Sequence, residues 1–195
     1  MNLPNALTIS RIVLAPVFMI LFLIDNIYTK TLALLIFVLA VFTDLYDGYL
    51  ARKNGMITGF GKFMDPLADK ILVSTALVCF VALDYVKTWM VLTIIVREFF
   101  ITGFRTLAAY RGFVIAPTIL AQWKTVSQML IITVILLYTV LKTLLIPLGY
   151  NWSIFSSPWT NRTFDIAMFV VMVLTVVTGI IYLIKNASLL KGVLK

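Results

Sequence analysis

Acidic residues are scarce in this 195-residue chain, and half of the eight lie in one short stretch. That stretch contains Asp44, Asp47, Asp65 and Asp69. The chain has no histidine and a single cysteine, so the usual general base and the usual zinc ligands are missing. Four carboxylates would form an all-oxygen site, which suits Mg2+ or Mn2+ better than zinc. Two such ions clamp the attacking and leaving oxygens of a displacement at phosphorus.

Helical spacing places these aspartates on two stripes. The first stripe follows at i, i+3, i+4 and i+7 and comprises Asp44, Asp47, Gly48 and Ala51. The second repeats every fourth residue, if a helix begins near residue 61, and comprises Gly61, Asp65 and Asp69. The connection over 53–60 is short and contains two glycines as helix breakers. Because short connections make neighbouring helices antiparallel, both carboxylate pairs are expected at the same end of a helical hairpin.

Small residues accompany the aspartates. Gly48, Ala51 and Gly61 leave the stripes bare of side chains, so a flat or bulky ligand can approach the helix backbone. Arg52, about one turn beyond Gly48, is placed to bind a phosphate in bidentate fashion. Small residues also permit close packing of membrane helices. Their interleaving with four carboxylates favours a ligand site.

The composition indicates a membrane protein. Apolar residues make up 62% of the chain and charged residues only 12%, whereas soluble domains carry about a quarter charged residues. We therefore predict an all-α, polytopic membrane protein that forms one domain over residues 1–195. The first apolar run is expected to be a retained helix, preceded by a short interfacial helix over 3–10. Six stretches are apolar enough to span a bilayer, namely 12–29, 31–52, 65–84, 88–109, 118–141 and 165–185.

The distribution of basic residues predicts the orientation. With the N-terminus inside, nine lysines and arginines fall near cytoplasmic ends of the predicted spans and four near the outer ends. This bias places both termini and the aspartate pattern on the cytoplasmic side. The net charge of +8 follows from the same bias, and it favours anionic lipid headgroups as partners. Nucleic-acid binding is not expected, because the basic residues form no soluble face.

A second group of charged residues suggests an anionic substrate. Its members are Arg97, Arg105, Arg111 and Lys124, of which the first lies within a predicted span and the others near cytoplasmic helix ends. An arginine inside a membrane usually faces a cavity or a charged partner. Pairing of Arg97 with Glu98 is the alternative, but adjacent helical residues point about 100° apart, which makes that pair awkward. Several cations together match a phosphate better than they match serine or choline.

The acidic and small residues together form one pattern, Asp44-x-x-Asp47-Gly48-x-x-Ala51-Arg52, then eight residues, then Gly61-x-x-x-Asp65-x-x-x-Asp69. This pattern resembles the complete signature of the CDP-alcohol phosphotransferases. The resemblance implies a six-helix membrane fold, usually a homodimer, in which four aspartates hold two metal ions beside a CDP-activated lipid. It also implies that Asp69 serves as the base. A carboxylate is a reasonable proton acceptor here, since the attacking hydroxyl must lose its proton and the chain has no histidine.

Further residues resemble the bacterial branch of this family whose acceptor is glycerol 3-phosphate. They are Asn2-Leu3-Pro4-Asn5 with Thr8 and Arg11, Arg97-Glu98, Arg105, Lys124-Thr125 and Gln128-Met129, and the resemblance is expected to end near residue 130. It implies transfer of a phosphatidyl group from CDP-diacylglycerol to glycerol 3-phosphate at a bacterial plasma membrane, with CMP released. Asn5 and Thr8 would join the small residues and Arg52 in binding the CDP-lipid.

Two alternatives are left open by the sequence. One is a sister enzyme whose acceptor is an inositol phosphate, serine or a second phospholipid. The other is a divalent-cation transporter with a pore lined by aspartates. A pore requires acids near mid-membrane, whereas the outer halves of the predicted spans carry carboxylates only at the rim, at Asp25, Asp84 and Asp165.

Overall fold

The computed structural model describes residues 3–54, 59–112, 119–150 and 152–186, with the backbone alone described at 3–7, 44–54, 59–63, 65, 156 and 158. Regular structure in these ranges is entirely helical, as predicted. The helices are α1 Leu3–Leu23, α2 Ile27–Asn54, α3 Gly59–Ala82, α4 Thr88–Tyr110, α5 Ile119–Leu145, α6 Ser153–Ser156 and α7 Pro158–Lys185.

The N-terminal segment differs from the prediction. A separate interfacial helix over 3–10 was expected, but α1 runs without interruption from Leu3 to Leu23. No glycine or proline separates the polar start from the apolar run, so nothing in the sequence breaks the helix there. The first apolar helix also ends before the predicted boundary at residue 29. Asn26 causes this early end, because its side-chain oxygen accepts the backbone N–H of Tyr28 at 2.8 Å and caps the start of α2.

The last span was predicted to begin at residue 165, and this boundary is wrong. The segment before it contains the short helix α6 and the first turns of α7. The hydroxyl of Ser157 accepts the backbone N–H of Trp159 at 3.3 Å, and Pro158 occupies the first helical position. This N-cap and the proline after it are strong helix-start signals, which the apolar pattern alone did not reveal.

The outer faces of the helices are rich in exposed apolar side chains, such as Val96 at 67% and Trp123 at 65% exposure. Within the described residues, Ile119–Leu145 and Trp159–Lys185 are long and apolar enough to cross a membrane, and Thr8–Leu23 and Ile27–Thr43 are shorter apolar helices. Lipid contact accounts for such faces, because large contiguous apolar patches are rarely exposed on soluble proteins. The total of six spans stays a prediction.

An aromatic core joins the first three helices. Helix α1 packs against both α2 and α3. Phe18 of α1 is fully buried, with its ring centroid 5.5 Å from that of Phe22 and 5.6 Å from that of Phe37 on α2. Phe22 continues the cluster to Phe80 of α3 at 6.1 Å. This packing fixes the position of α2 relative to α3, the two helices that carry the aspartate pattern.

The remaining helices complete the bundle around this core. Helix α4 packs against α3 and α7, and α5 packs against α2 and α7. Near the C-terminal end of α5, the buried Lys30 donates to Asp25 at 2.5 Å and to Thr143 at 3.2 Å. The hydrogen bond and the positive charge of Lys30 lower the pKa of the Asp25 carboxyl. The polar cavities described next lie toward the other end of α5.

Candidate functional site

The backbone places the aspartate pattern on two helices. Helix α2 carries positions 44–52, and α3 begins at Gly59, so the second stripe lies on one continuous helix as it requires. At Asn5 and at seven further predicted site residues the structure describes the backbone alone, namely at Asp44, Asp47, Gly48, Ala51, Arg52, Gly61 and Asp65. The meeting of four carboxylates therefore stays a prediction. Of the four aspartates, Asp69 is the one whose side chain the structure describes.

Asp69 borders a cavity of about 330 Å³, which we call the Asp69 cavity. Its wall comes from α1, α2, α3 and α5 and consists of Arg11, Ala40, Val41, Asp69, Lys70, Leu72, Val73, Thr125, Gln128 and Met129. The Asp69 side chain is 38% exposed and accepts a hydrogen bond from Lys70 at 2.9 Å. Ala40 of the wall lies about one helical turn before position 44. The cavity thus opens beside both helices of the aspartate pattern.

Buried polar residues of α1 and α5 also lie at this cavity. Arg11 is 2% exposed and Gln128 is 3% exposed, and both line the wall. Thr8, which was predicted to bind the CDP-lipid, is 1% exposed and lies one turn before Arg11 on α1. Three polar side chains buried at one end of an apolar bundle indicate a built polar site rather than ordinary core packing.

A second cavity of about 380 Å³, which we call the cationic cavity, lies between α4, α5 and α7. It brings together Arg97, Arg105 and Lys124, three of the four residues predicted to bind the acceptor phosphate. Arg111 is exposed at the C-terminal end of α4 and lies outside this wall. The described wall consists of Lys70, Arg97, Glu98, Ile101, Thr102, Arg105, Ala121, Gln122, Lys124, Thr125, Val126, Thr178 and Tyr182.

The two cavities are neighbours, because Lys70 and Thr125 belong to both walls. Lys70 contacts Asp69 on one side at 2.9 Å and a carboxylate oxygen of Glu98 on the other at 3.5 Å. The side chain of Lys70 is 18% exposed, so this bridge is largely shielded from solvent. A ligand in one cavity therefore lies close to a ligand in the other.

Glu98 is the centre of the cationic cavity. Its carboxylate pairs with Lys124, accepts a hydrogen bond from Arg97 at 2.9 Å and lies 3.5 Å from Lys70. Glu98 is buried because it shares one face of α4 with Ile94 and Ile101, at i, i+4 and i+7 spacing. The three cations come from α3, α4 and α5, so a single carboxylate joins three helices.

The pairing of Arg97 with Glu98 was considered awkward from the sequence, and this expectation is wrong. Nη1 of Arg97 donates to Oε1 of Glu98, and Nη2 donates to the hydroxyl of Thr178 at 2.9 Å. The long, flexible stem of an arginine lets the guanidinium turn toward a neighbour, although the Cα–Cβ bonds of adjacent residues diverge. Although Arg97 is paired with Glu98, it still lines the cavity.

The charge of the described wall favours an anionic ligand. Four cations face the cationic cavity, and Glu98 is the single carboxylate opposite them in the part of the wall that the structure describes. An anion with several oxygen atoms would neutralise this excess charge.

Sequence reasoning missed four residues of this arrangement. Lys70, Thr178 and Tyr182 were not predicted to belong to the site, and Glu98 was named as part of the resemblance and as a partner of Arg97 but not as a site residue. Lys70 offered a signal, since it is a charged residue in an apolar span and directly follows Asp69. The two α7 residues offered none, because their types are ordinary for an apolar helix.

Comparison with known proteins assigns the family. The family model for CDP-alcohol phosphatidyltransferase matches residues 1–185, and the chain belongs to that family. Its relatives include the CDP-diacylglycerol–glycerol-3-phosphate 3-phosphatidyltransferase of Bacillus subtilis, which is 39% identical over 97% of each chain. Proteins of the same name from Rickettsia typhi and Pectobacterium atrosepticum are 42% and 40% identical over 70% and 66% of this chain, and 76% and 73% of theirs.

The extent of the match corrects one expectation. The resemblance was expected to end near residue 130, but the family model continues to residue 185 and the Bacillus relative covers nearly the whole chain. Helix α7 is therefore part of the family domain. This agrees with its contribution of Thr178 and Tyr182 to the wall of the cationic cavity.

We predict that Glu98→Gln destabilises the fold by about 3–5 kcal/mol, the usual cost of removing one partner from a buried ion pair. Lys124 and Arg97 would then face each other without their shared carboxylate. Thermal unfolding of the detergent-purified protein measures the effect. Asp165→Asn is the control, because its amide oxygen can still accept the Lys87 N–H that Asp165 accepts at 3.2 Å. Equal melting temperatures for the two variants would show that Glu98 does not hold the helices together.

Proposed function

We propose that this protein transfers the phosphatidyl group of CDP-diacylglycerol to glycerol 3-phosphate, which yields phosphatidylglycerophosphate and CMP. The adjacency of the cationic cavity and the Asp69 cavity, through Lys70 and Thr125, carries this proposal. A phosphorylated acceptor in the first cavity would lie next to a proton-accepting carboxylate at the second. Membership of the family supports the reaction class, and the names of three relatives support the acceptor.

The CDP-lipid is proposed to bind along α1, α2 and the start of α3. The residues proposed for this role are Asn5, Thr8, Gly48, Ala51, Arg52 and Gly61. Thr8 supports the assignment, since it is buried one turn from the cavity-lining Arg11. The acyl chains would lie among the apolar outer faces of the helices, and the cytidine would lie on the small residues.

Two Mg2+ or Mn2+ ions are proposed to be held by Asp44, Asp47, Asp65 and Asp69. Bound divalent ions would neutralise charge on the reacting phosphate oxygens. The donor chemistry fits hard ions, since the carboxylate of Asp69 borders a cavity while the Cys79 thiol is buried in the apolar core. Softer metals would require sulfur or imidazole ligands, and the chain contains no histidine.

Asp69 is also proposed as the base that accepts the proton of the attacking hydroxyl. Its side chain is partly exposed to the cavity, so a substrate can reach it. The hydrogen bond from Lys70 at 2.9 Å holds one carboxylate oxygen and leaves the other available. Positioned general bases accelerate such steps by about 10²–10⁴-fold.

The acceptor phosphate is proposed to bind Arg97, Arg105 and Lys124, with Arg111 as a further contact. The surplus of cations over Glu98 in the described wall supports a phosphate here. Serine carries no phosphate and would leave this charge unbalanced. Lys124 is 2% exposed, so it is not a solvated surface lysine, and its contact with Glu98 fixes its side chain in the wall.

The protein is proposed to be a homodimer of six-span subunits in the bacterial plasma membrane, with the site facing the cytoplasm. The exposed apolar faces and the bias of basic residues support this setting. A site near the membrane surface would admit a water-soluble acceptor and a lipid donor from different sides.

The proposed reaction is tested by CMP release from CDP-diacylglycerol and Mg2+ with purified protein and a panel of acceptors. Glycerol 3-phosphate should support turnover, while glycerol, serine and inositol phosphate should not. Excess EDTA should abolish turnover, and Mg2+ or Mn2+ should restore it. Turnover with a different acceptor and none with glycerol 3-phosphate would identify a related enzyme with another acceptor. Full turnover in EDTA would contradict the metal site.

We predict that Asp69→Asn lowers CMP release by at least about 10²-fold, because the amide cannot accept the proton. The fold should persist, since Lys70 still has Glu98 at 3.5 Å. Asp84→Asn is the matched control, because asparagine tolerates the positive φ of 56° at that position and Asp84 lies outside both walls. Normal turnover by Asp69→Asn would rule out its role as the base.

We predict that Arg105→Gln raises the KM for glycerol 3-phosphate by roughly 10- to 150-fold, the equivalent of a lost charged hydrogen bond of about 1.5–3 kcal/mol. The KM for CDP-diacylglycerol should change little. Arg162→Gln is the control, since Arg162 lies over the Trp159 ring, 5.3 Å from its centroid, away from the cavity. Parallel changes in both KM values would indicate a general structural defect. Arg111→Gln, measured alongside, decides whether Arg111 contacts the acceptor.

A further inference from the structure

Helix α7 holds Arg97 from the side opposite Glu98. The hydroxyl of Thr178 accepts a hydrogen bond from Nη2 of Arg97 at 2.9 Å, and Thr178 is 5% exposed. The same hydroxyl donates to the backbone oxygen of Leu174 at 2.7 Å, which fixes its orientation. The guanidinium is thus fixed between a carboxylate on α4 and a hydroxyl on α7.

Gly179, the next residue, provides the space that the arginine stem occupies. A Cβ at this position would lie 2.9 Å from Nε and 3.3 Å from Cγ of Arg97. The first distance is shorter than atoms in contact tolerate, so any larger residue would displace the arginine. Glycine costs about 1 kcal/mol relative to alanine inside a helix, so its presence within α7 calls for a local reason. The side chain of Arg97, which lies directly against Gly179, is that reason.

We infer that Thr178 and Gly179 are positioning residues that set where the Arg97 guanidinium lies in the cationic cavity. The inference deepens the proposed function and rests on it, because it assigns α7 a part in binding the acceptor phosphate. Neither residue is a cation, and the effect of each passes through Arg97. The outer side of this contact is an apolar groove bordered by Arg97 and Gly179, so the arginine marks the boundary between the polar cavity and the lipid-facing surface.

Substitution at Gly179 should weaken binding of the acceptor and leave binding of the CDP-lipid unchanged. The added Cβ would press on Cγ and Nε in the middle of the arginine side chain, so Gly179→Ala should shift the whole side chain and with it the guanidinium. The displaced group would lose its alignment with Thr178 and Glu98, and the KM for glycerol 3-phosphate should rise about 10-fold or more. The KM for CDP-diacylglycerol should stay near the wild-type value, while the melting temperature should fall, because Arg97 loses buried hydrogen-bond partners. Thr178→Val should have the same effect, and Thr178→Ser should restore the wild-type KM.

Two variants provide matched controls. Gly103→Ala changes a glycine within α4 whose added Cβ would meet no atom within 4 Å. Thr133→Val removes an exposed hydroxyl that donates to the backbone oxygen of Met129 at 2.8 Å. Both should leave the two KM values unchanged.

The experiment measures both KM values for all five variants and, separately, the thermal stabilisation of each purified protein by inorganic phosphate. Unchanged acceptor KM and unchanged stabilisation in Gly179→Ala and Thr178→Val would overturn the inference. If Gly179→Ala does not fold, the Thr178→Val and Thr178→Ser pair decides. Suppose that the wild type does not use glycerol 3-phosphate, and that Gly179→Ala loses the stabilisation by phosphate while Gly103→Ala keeps it. This result would refute the proposed acceptor and support the positioning role. If, in addition, phosphate does not stabilise the wild type, both the proposed acceptor and the positioning role are refuted.

Discussion

A single buried carboxylate organises the polar half of this protein. Glu98 pairs with Lys70, Arg97 and Lys124, which come from three different helices. Removing an ion from water costs several kcal/mol, so charges persist inside an apolar bundle only where close partners offset that cost. Glu98 and Asp69 together cannot neutralise the four cations of the described wall, so the cavity keeps a positive surplus. That surplus is the physical basis for proposing an anionic ligand.

The arrangement of the two cavities follows from the same cluster. Lys70 contacts Glu98 with the ammonium group that also holds Asp69, so the cationic cavity and the Asp69 cavity share a wall. In the proposed transfer between a lipid donor and a soluble acceptor, this geometry would bring the two reactants together while each has its own binding surface. Proximity of this kind replaces a bimolecular encounter by a reaction within one complex.

Helix α7 illustrates why an apolar sequence is a poor guide to function. Its residues resemble those of any lipid-facing helix, yet Thr178 and Gly179 contact the one arginine that lies between the cavity and the outer apolar groove. Such a helix contributes shape and single hydrogen bonds in place of charge. These contributions carry no signal in composition or periodicity, which is why the resemblance was expected to end before α7 although the family match includes it.

The sequence by itself determined the family, the helical fold class and most of the charged residues that meet in the cationic cavity. These features depend on residue types and on spacing along one helix, where a period of 3.6 residues decides which side chains share a face. Tertiary structure alone decided the role of Glu98, the bridge through Lys70 and the part of α7. Lys124 and Glu98 are 26 residues apart, and Arg97 and Thr178 are 81 residues apart. Contacts at such separations depend on how whole helices pack, and local spacing holds no information about that packing.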